Sequence, residues 1–170
     1  MLYLLKPTEY GGIFMKRILI FSDTHNDINH CIRLLMNTEG IDAVIHAGDC
    51  VRDAEDLHYA FPDIPIHYVR GNNDFLSSAP DKLTVTIGGK RILVVHGHIE
   101  RVKYDLSLST LTEKGERANA DLVVFGHTHM PQTEYRGKMI ILNPGSVRFT
   151  RTYAVAEIED DVLKTAIINI

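Results

Sequence analysis

Five short apolar runs in this chain each lead, within a few residues, into side chains that can ligate a metal ion. Residues 18–21 precede Asp23 and His25, residues 43–46 precede Gly48-Asp49, and residues 66–69 precede Gly71-Asn72. Residues 91–95 run directly into His96, and residues 122–125 into Gly126-His127-Thr128-His129. Runs this short, bounded by glycine and polar residues, read as buried strands. Open α/β sheets place their ligand sites beyond the carboxyl ends of strands, so the five stretches aim polar side chains at one place. In an extended segment residues i and i+2 project from the same side. On that geometry Asp23 and His25 reach one region together, and so do His127 and His129. Gly48, Gly71 and Gly126 each precede a candidate ligand, where a β-carbon would collide.

The first half of the chain alternates strand with helix. Asn26 or Asp27 is placed to cap a helix whose apolar face is Ile28, Ile32 and Leu35, and Gly40 to end it. A second helix is expected over residues 54–61. Strands joined through helices imply a parallel sheet with right-handed crossovers. The second half changes character. Residues 83–87 and 91–95 flank Gly88-Gly89, a hairpin signal, and a helix interrupted by Gly115 is expected over residues 105–118. Residues 133–135 and 139–142 flank Arg136-Gly137, and residues 152–158 and 162–168 flank a Glu-Asp-Asp turn. The pattern predicts a wound α/β front and an antiparallel meander at the back, as two sheets facing each other with helices outside.

Composition narrows the classes. Of 170 residues 45% are apolar and 24% charged, enough for one domain with a continuous core. Met15 stands just before the first run, so residues 1–14 read as an N-terminal extension, an upstream start or a remnant, and residues 15–170 as the domain. A formal net charge of -4 argues against a dedicated nucleic-acid binder. The two cysteines, Cys31 and Cys50, form no Cys-x-x-Cys pair and suit a reducing cytosol. No apolar run is long enough to span a bilayer, and the start lacks the basic residues of a secretory signal. A cytoplasmic location with no membrane partner is the expectation.

Imidazole nitrogens together with carboxylate and amide oxygens suit Mn²⁺, Fe²⁺, Co²⁺ or Zn²⁺. Calcium would want oxygens alone, and a structural zinc would want cysteines. Seven ligands with one shared carboxylate exceed a closed tetrahedral site and fit two ions with open positions. Taken singly, each feature has a plain reading: a histidine after a strand packs in a core, and a Gly-Asp is a turn. Five of them at five strand ends of one chain call for a common cause. His46, inside the second run, reads as a packed residue, and His30, His58 and His67 as surface or core.

The ordered series Asp-x-His, Gly-Asp, Gly-Asn-x-Asp, strand-end His and Gly-His-x-His resembles the calcineurin-like metallophosphoesterase family. The likeness is greatest to its small bacterial and archaeal phosphodiesterase branch, which also carries the motifs seen here as His96-Gly97-His98 and Asn143-Pro144-Gly145-Ser146. The resemblance covers residues 16 to about 150 and implies a four-layer α/β/β/α sandwich. It implies Asp23, His25 and His129 on one metal ion, Asn72, His96 and His127 on a second, and Asp49 bridging both. It further implies two divalent ions, Mn²⁺ first with Fe²⁺, Zn²⁺, Co²⁺ or Ni²⁺ as substitutes. The implied reaction is hydrolysis of a phosphate ester, a diester before a monoester, by hydroxide held between the ions.

One position departs from the wider family pattern. Many members carry a histidine right after the metal-binding asparagine, and Asn73 stands there instead. Asn73 is then a group to steady phosphoryl oxygens. His98, two residues past His96, is a candidate general acid or else a structural histidine. The Asn143–Ser146 stretch reads as a loop lining the site, Arg148 and Arg151 as surface arginines able to meet phosphate, and Cys50 as an oxidation liability.

Rival readings differ in what they require. A retromer subunit of the same fold acts as a non-catalytic protein scaffold and has lost part of its ligand set, whereas every ligand position is filled here. A nuclease would bring a basic groove or an added DNA-binding domain, and a zinc β-lactamase-like hydrolase would need a His-x-His-x-Asp-His run. The expected partner is a small phosphate ester, and exposed strand edges near the C-terminus allow a homodimer.

Overall fold

Among the described residues the elements are β1 (Lys16–Phe21), α1 (Asn29–Asn37), β2 (Ala43–His46), α2 (Val51–Ala60), β3 (Ile66–Tyr68), β4 (Lys82–Ile87), β5 (Lys90–Val95), α3 (Ser109–Arg117), β6 (Leu122–Val124), β7 (Gln132–Arg136), β8 (Met139–Asn143), β9 (Thr152–Glu159) and β10 (Val162–Asn169). The structure is a computed structural model that describes residues 15–170, so the reading of residues 1–14 as an extension lies outside the described residues. One sheet has the order β10-β9-β1-β2-β3, the other β4-β5-β6-β8-β7.

Period-two patterning divides the apolar residues among three cores. On β1, Ile18 and Ile20 enter the layer between the sheets, with Ile45, Val94, Val124 and Leu142. Leu19 and Phe21 point the other way and meet Cys31 and Leu35 of α1 and Leu57 of α2. On the far side, Leu93, Val123 and Ile141 pack against Leu111 of α3. Three cores separate four layers, helices outside and sheets inside, so the α/β/β/α sandwich is the observed architecture. Gly115 sits inside α3 because the helix lies close on its sheet: a β-carbon there would come 2.4 Å from Met139 Sδ and 2.6 Å from Val123 Cγ2.

Several expectations need correction. The back half is no antiparallel meander. β5 pairs parallel with β6, and β6 parallel with β8. The segment carrying α3 takes the chain back across the sheet, which makes the next strand parallel. The last hairpin leaves the second sheet altogether: β9 runs antiparallel to β1, with Lys16 opposite Ile158. There it buries Ala154, Ala156 and Ile158 between the sheets.

Helix starts also shift. The N-cap of α1 is Ile28, with no side-chain cap; Asn26 lies before it, its backbone N–H donating to Asp53 Oδ2 at 2.8 Å. The helix ends at Asn37, ahead of Gly40. α2 begins at Val51, three residues earlier than expected, and α3 at Ser109, four later. Before α3 the Asp105 carboxylate accepts from Ser107 Oγ at 2.6 Å and from the Thr110 amide at 2.9 Å, which holds the preceding residues as a turn. Among the described residues no helix is long and apolar enough to cross a membrane.

Candidate metal centre

β1, β2, β5 and β6 all end at the same edge of the sandwich, and the loops that follow them converge. One ligand atom each from Asp23, His25, Asp49 and His129 lie within 4.8 Å of one another. His129 Nε2 is 3.2 Å from Asp23 Oδ1 and 3.3 Å from His25 Nε2. Asp49 lies between two sets of groups. Its Oδ2 is 3.8 Å from His25 Nε2, and its Oδ1 is 3.4 Å from His96 Nε2. Beyond it His96 Nε2 is 3.2 Å from Asn72 Oδ1, and the His96 and His127 rings are 5.1 Å apart. Asn73 holds Asp49 in place, donating its backbone amide to Oδ1 at 3.0 Å and its side-chain amide to Oδ2 at 2.8 Å.

The backbone reaches this arrangement by a route other than strand alternation. φ is +52° at Asp23, +44° at His25, +58° at Asp49, +67° at His127 and +59° at His129. These residues are not extended. They sit in left-handed turns, which Asn, Asp and His tolerate better than most side chains. Each such residue costs of order 1–3 kcal/mol, recovered from surrounding contacts. The turns are tied to one another, Asp23 N donating to Gly48 O at 3.1 Å and Val147 N to Ser22 O at 3.2 Å. Close approach explains two glycines: a β-carbon on Gly71 would lie 2.1 Å from Asp49 Oδ1, and one on Gly126 2.0 Å from Ser22 Oγ.

The donor set fits divalent cations. His96 Nδ1–H donates to the Ala47 carbonyl at 2.7 Å, which leaves Nε2 as the nitrogen facing the site. Such an outer hydrogen bond is the usual way a ligating imidazole is oriented. Asp23 Oδ2 accepts from Ser22 Oγ at 2.5 Å and from the His127 amide at 3.1 Å, while Oδ1 is buried and accepts no hydrogen bond. A buried carboxylate oxygen left open among imidazoles is what a cation would satisfy.

Burial opposes the charge on Asp23 and on Asp49, yet the neighbouring imidazoles outweigh it and hold both carboxyls below their ordinary range. For His96 burial is likewise overcome, here by Asp49 and Asp23, and the imidazole is raised. For His127 burial prevails, with His96 adding to it, and its pKa falls to about 4.

Residues with weaker sequence signals also find their places. His98 Nδ1 is buried without a hydrogen bond, and its ring lies 5.4 Å from that of His96 and 6.2 Å from that of His127. His46 is fully buried; Gly48 N donates to its Nδ1 at 3.3 Å, so Nε2–H donates to Thr24 Oγ1 at 3.0 Å. Asn143 supports the last ligand loop, donating to Gly126 O at 3.0 Å and Thr128 Oγ1 at 2.9 Å. Arg148 Nη1 donates to His25 O at 2.5 Å, whereas Arg151 meets His30. Burial and the Asp53, Asp74 and Asp49 charges push the Cys50 thiol up to about 11, which disfavours the thiolate.

Three further residues take part: two, Ser22 and Phe149, have no motif of their own, and the third, Asp74, closes the Gly-Asn-x-Asp motif without being a ligand candidate. Ser22 is the immediate neighbour of Asp23. Asp74 lies in the Gly-Asn-x-Asp stretch and accepts from the amides of Cys50, Val51 and Gly71 at 3.1, 2.8 and 2.8 Å, joining two ligand loops. Phe149 stacks on His129 at 4.9 Å between centroids and meets His25 at 5.2 Å. Only its distance of three residues from Ser146 could have marked it. Next to Asn73 a cavity of about 400 Å³ opens, lined by Val51, Arg52, Asp74, Phe75 and Leu76.

The family model of the calcineurin-like phosphoesterase superfamily domain matches residues 15–161. A Bacillus subtilis (strain 168) relative named "Probable metallophosphoesterase YsnB" is 36% identical over 151 residues, which span 85% of each chain. A conserved uncharacterized protein from Streptococcus pneumoniae TIGR4, described as a predicted phosphoesterase, is similar in structure with a TM-score of 0.77 and 29% identity, over 92% of this chain and 90% of that one. Two more distant structures share the fold. Vacuolar Protein Sorting 29 from Cryptosporidium parvum has a TM-score of 0.71 at 19% identity, over 91% and 97% of the two chains. A novel archaeal phosphodiesterase has 0.61 at 20%, over 89% and 99%.

Proposed function

The chain belongs to the calcineurin-like phosphoesterase superfamily, and on that premise we propose that it hydrolyses phosphate esters, diesters before monoesters, with two divalent cations. One would be held by Asp23, His25 and His129, the other by Asn72, His96 and His127, with Asp49 serving both. The observation that carries the reading is the cluster in which the buried Asp23 Oδ1 has no hydrogen bond among the described residues although His25, Asp49 and His129 each offer a ligand atom within 4.8 Å. Cations bound there supply Lewis-acid activation of water and of the phosphoryl group, Mn²⁺ being the first choice and Fe²⁺, Co²⁺, Ni²⁺ or Zn²⁺ alternatives.

The chain's own groups do the rest. Asp49 turns one oxygen toward His25 and the other toward His96, and the two Asn73 hydrogen bonds fix that orientation. In this reading Asn73 is a positioning group before it is a phosphate contact. Burial and the nearby His96 keep the His98 imidazole below its ordinary pKa, so it is neutral near pH 7. A neutral imidazole serves better to hydrogen-bond a phosphoryl or leaving oxygen than to transfer a full proton.

Purified metal-free protein, given Mn²⁺, Co²⁺, Ni²⁺ or Zn²⁺ in turn, should hydrolyse a bis-aryl phosphate faster than its mono-aryl counterpart. Asp49→Ala and His127→Ala should abolish turnover. Two ions bound with no turnover of either ester would instead favour the protein-binding scaffold.

A further inference from the structure

The imidazoles of the centre are not all oriented alike. His96 is fixed by its Nδ1 hydrogen bond to Ala47 O. Among the described residues, neither Nδ1 of His25 nor Nδ1 of His129 has a hydrogen-bond partner. Their Nε2 atoms face each other at 3.3 Å. What touches these two rings is Phe149. It stacks on His129 at 4.9 Å with only 11° between the planes, and meets His25 edge-on at 5.2 Å and 62°. Yet Phe149 is 58% exposed, on a turn, where hydrophobic burial gives little reason for an aromatic ring.

The turn carrying Phe149 is itself tied to the ligand loops. Ser146 Oγ donates to Asp23 O at 2.7 Å and accepts from Phe149 N at 3.0 Å. Arg148 Nη1 donates to His25 O at 2.5 Å. Residues 146–149 thus touch Asp23, His25 and His129, all on one side of Asp49. We infer that Phe149 is the positioning residue for His25 and His129, its ring packing doing for them what the Ala47 carbonyl does for His96. The inference rests on the reading of these residues as metal ligands. An imidazole free to turn about χ2 must be ordered when an ion binds, and a ring packed beforehand spares that loss.

Metal-free wild type, Phe149→Ala, Phe149→Leu and Phe149→Tyr would be titrated with Co²⁺, following heat by calorimetry and the visible absorption of bound cobalt. Circular dichroism melts would confirm that each variant folds. Phe149→Ala should weaken one of two Co²⁺ equivalents by roughly 10-fold and leave the other unchanged. Phe149→Tyr should restore wild-type affinity, while Phe149→Leu, apolar but not flat, should not. Both equivalents binding to Phe149→Ala as tightly as to wild type, or weakening of both without rescue by tyrosine, would overturn the assignment. A wild type that takes up no Co²⁺ at all is a different result: it removes the metal reading and this inference together.

Discussion

His96 and the pair His25 and His129, on opposite sides of Asp49, are held in different ways. On one side His96 follows directly from β5, is 1% exposed, and is pinned by a backbone carbonyl. On the other, His25 and His129 sit in left-handed turns beyond their strands, partly exposed, against a surface aromatic. A strand end offers position without adjustment. A turn offers reach, but its side chains then need a wall. The difference teaches that within one site a ligand at a strand end is set by the core, while ligands on exposed turns are set by what their loops pack against.

The largest expected effect falls on the group common to both sides. Asp49→Ala should lose both ions and reduce diester hydrolysis by more than the roughly 10–100-fold that outer-sphere partners of a metal contribute. Retention of two tightly bound ions would show that the two sides do not share it. Next in size, His129→Ala and His127→Ala should each keep one Co²⁺ equivalent, on opposite sides, as read by titration. Loss of both equivalents in either variant would merge the two sides into one unit.

A smaller effect is expected from Ser22→Ala, which removes a 2.5 Å hydrogen bond to Asp23 Oδ2. It should lower stability in urea by about 1–3 kcal/mol, the range for a hydrogen bond to a buried charged group. The ion on the His127 side should bind as before. The smallest signal is a titration. In metal-free protein followed by imidazole proton resonances, His96 should protonate above the usual histidine range, because burial is outweighed by Asp49 and Asp23, which favour its charged form. His127 should stay neutral down to about pH 4, because burial and then His96 oppose its charge. A common midpoint for the two rings would erase their distinction.

Much of this could be read from the chain beforehand, and the remainder could not for physical reasons. The apolar runs mark the strands because burial on both faces leaves a continuous hydrophobic signature. The four layers follow from the resemblance and from helices placed between those runs. The partner of the last hairpin was hidden, since pairing with β1 is a contact between distant segments and leaves no local mark in residues 152–169. Convergence of Asp23, His25, Asp49, Asn72, His96, His127 and His129 was legible from strand ends alone. The expected alternation along an extended chain is corrected by the structure: Asp23, His25, Asp49, His127 and His129 sit in left-handed turns, while His96 directly follows β5. Phe149 was not legible, because its role depends on two rings that reach it from other loops.

The pairing of β9 with β1 has a consequence in time. Arg17 and Glu157, joined at 3.0 Å, are 140 residues apart, and Ser146 and Asp23, joined at 2.7 Å, are 123 apart. Contacts of such separation form slowly, because a long loop must close before they contribute anything. During synthesis Asp23 and His25 emerge well before Ser146, Phe149 and the β9 strand and remain without them until those segments are made. The centre is therefore closed only when the turn after β8 and the strand β9 have joined the edge of β1.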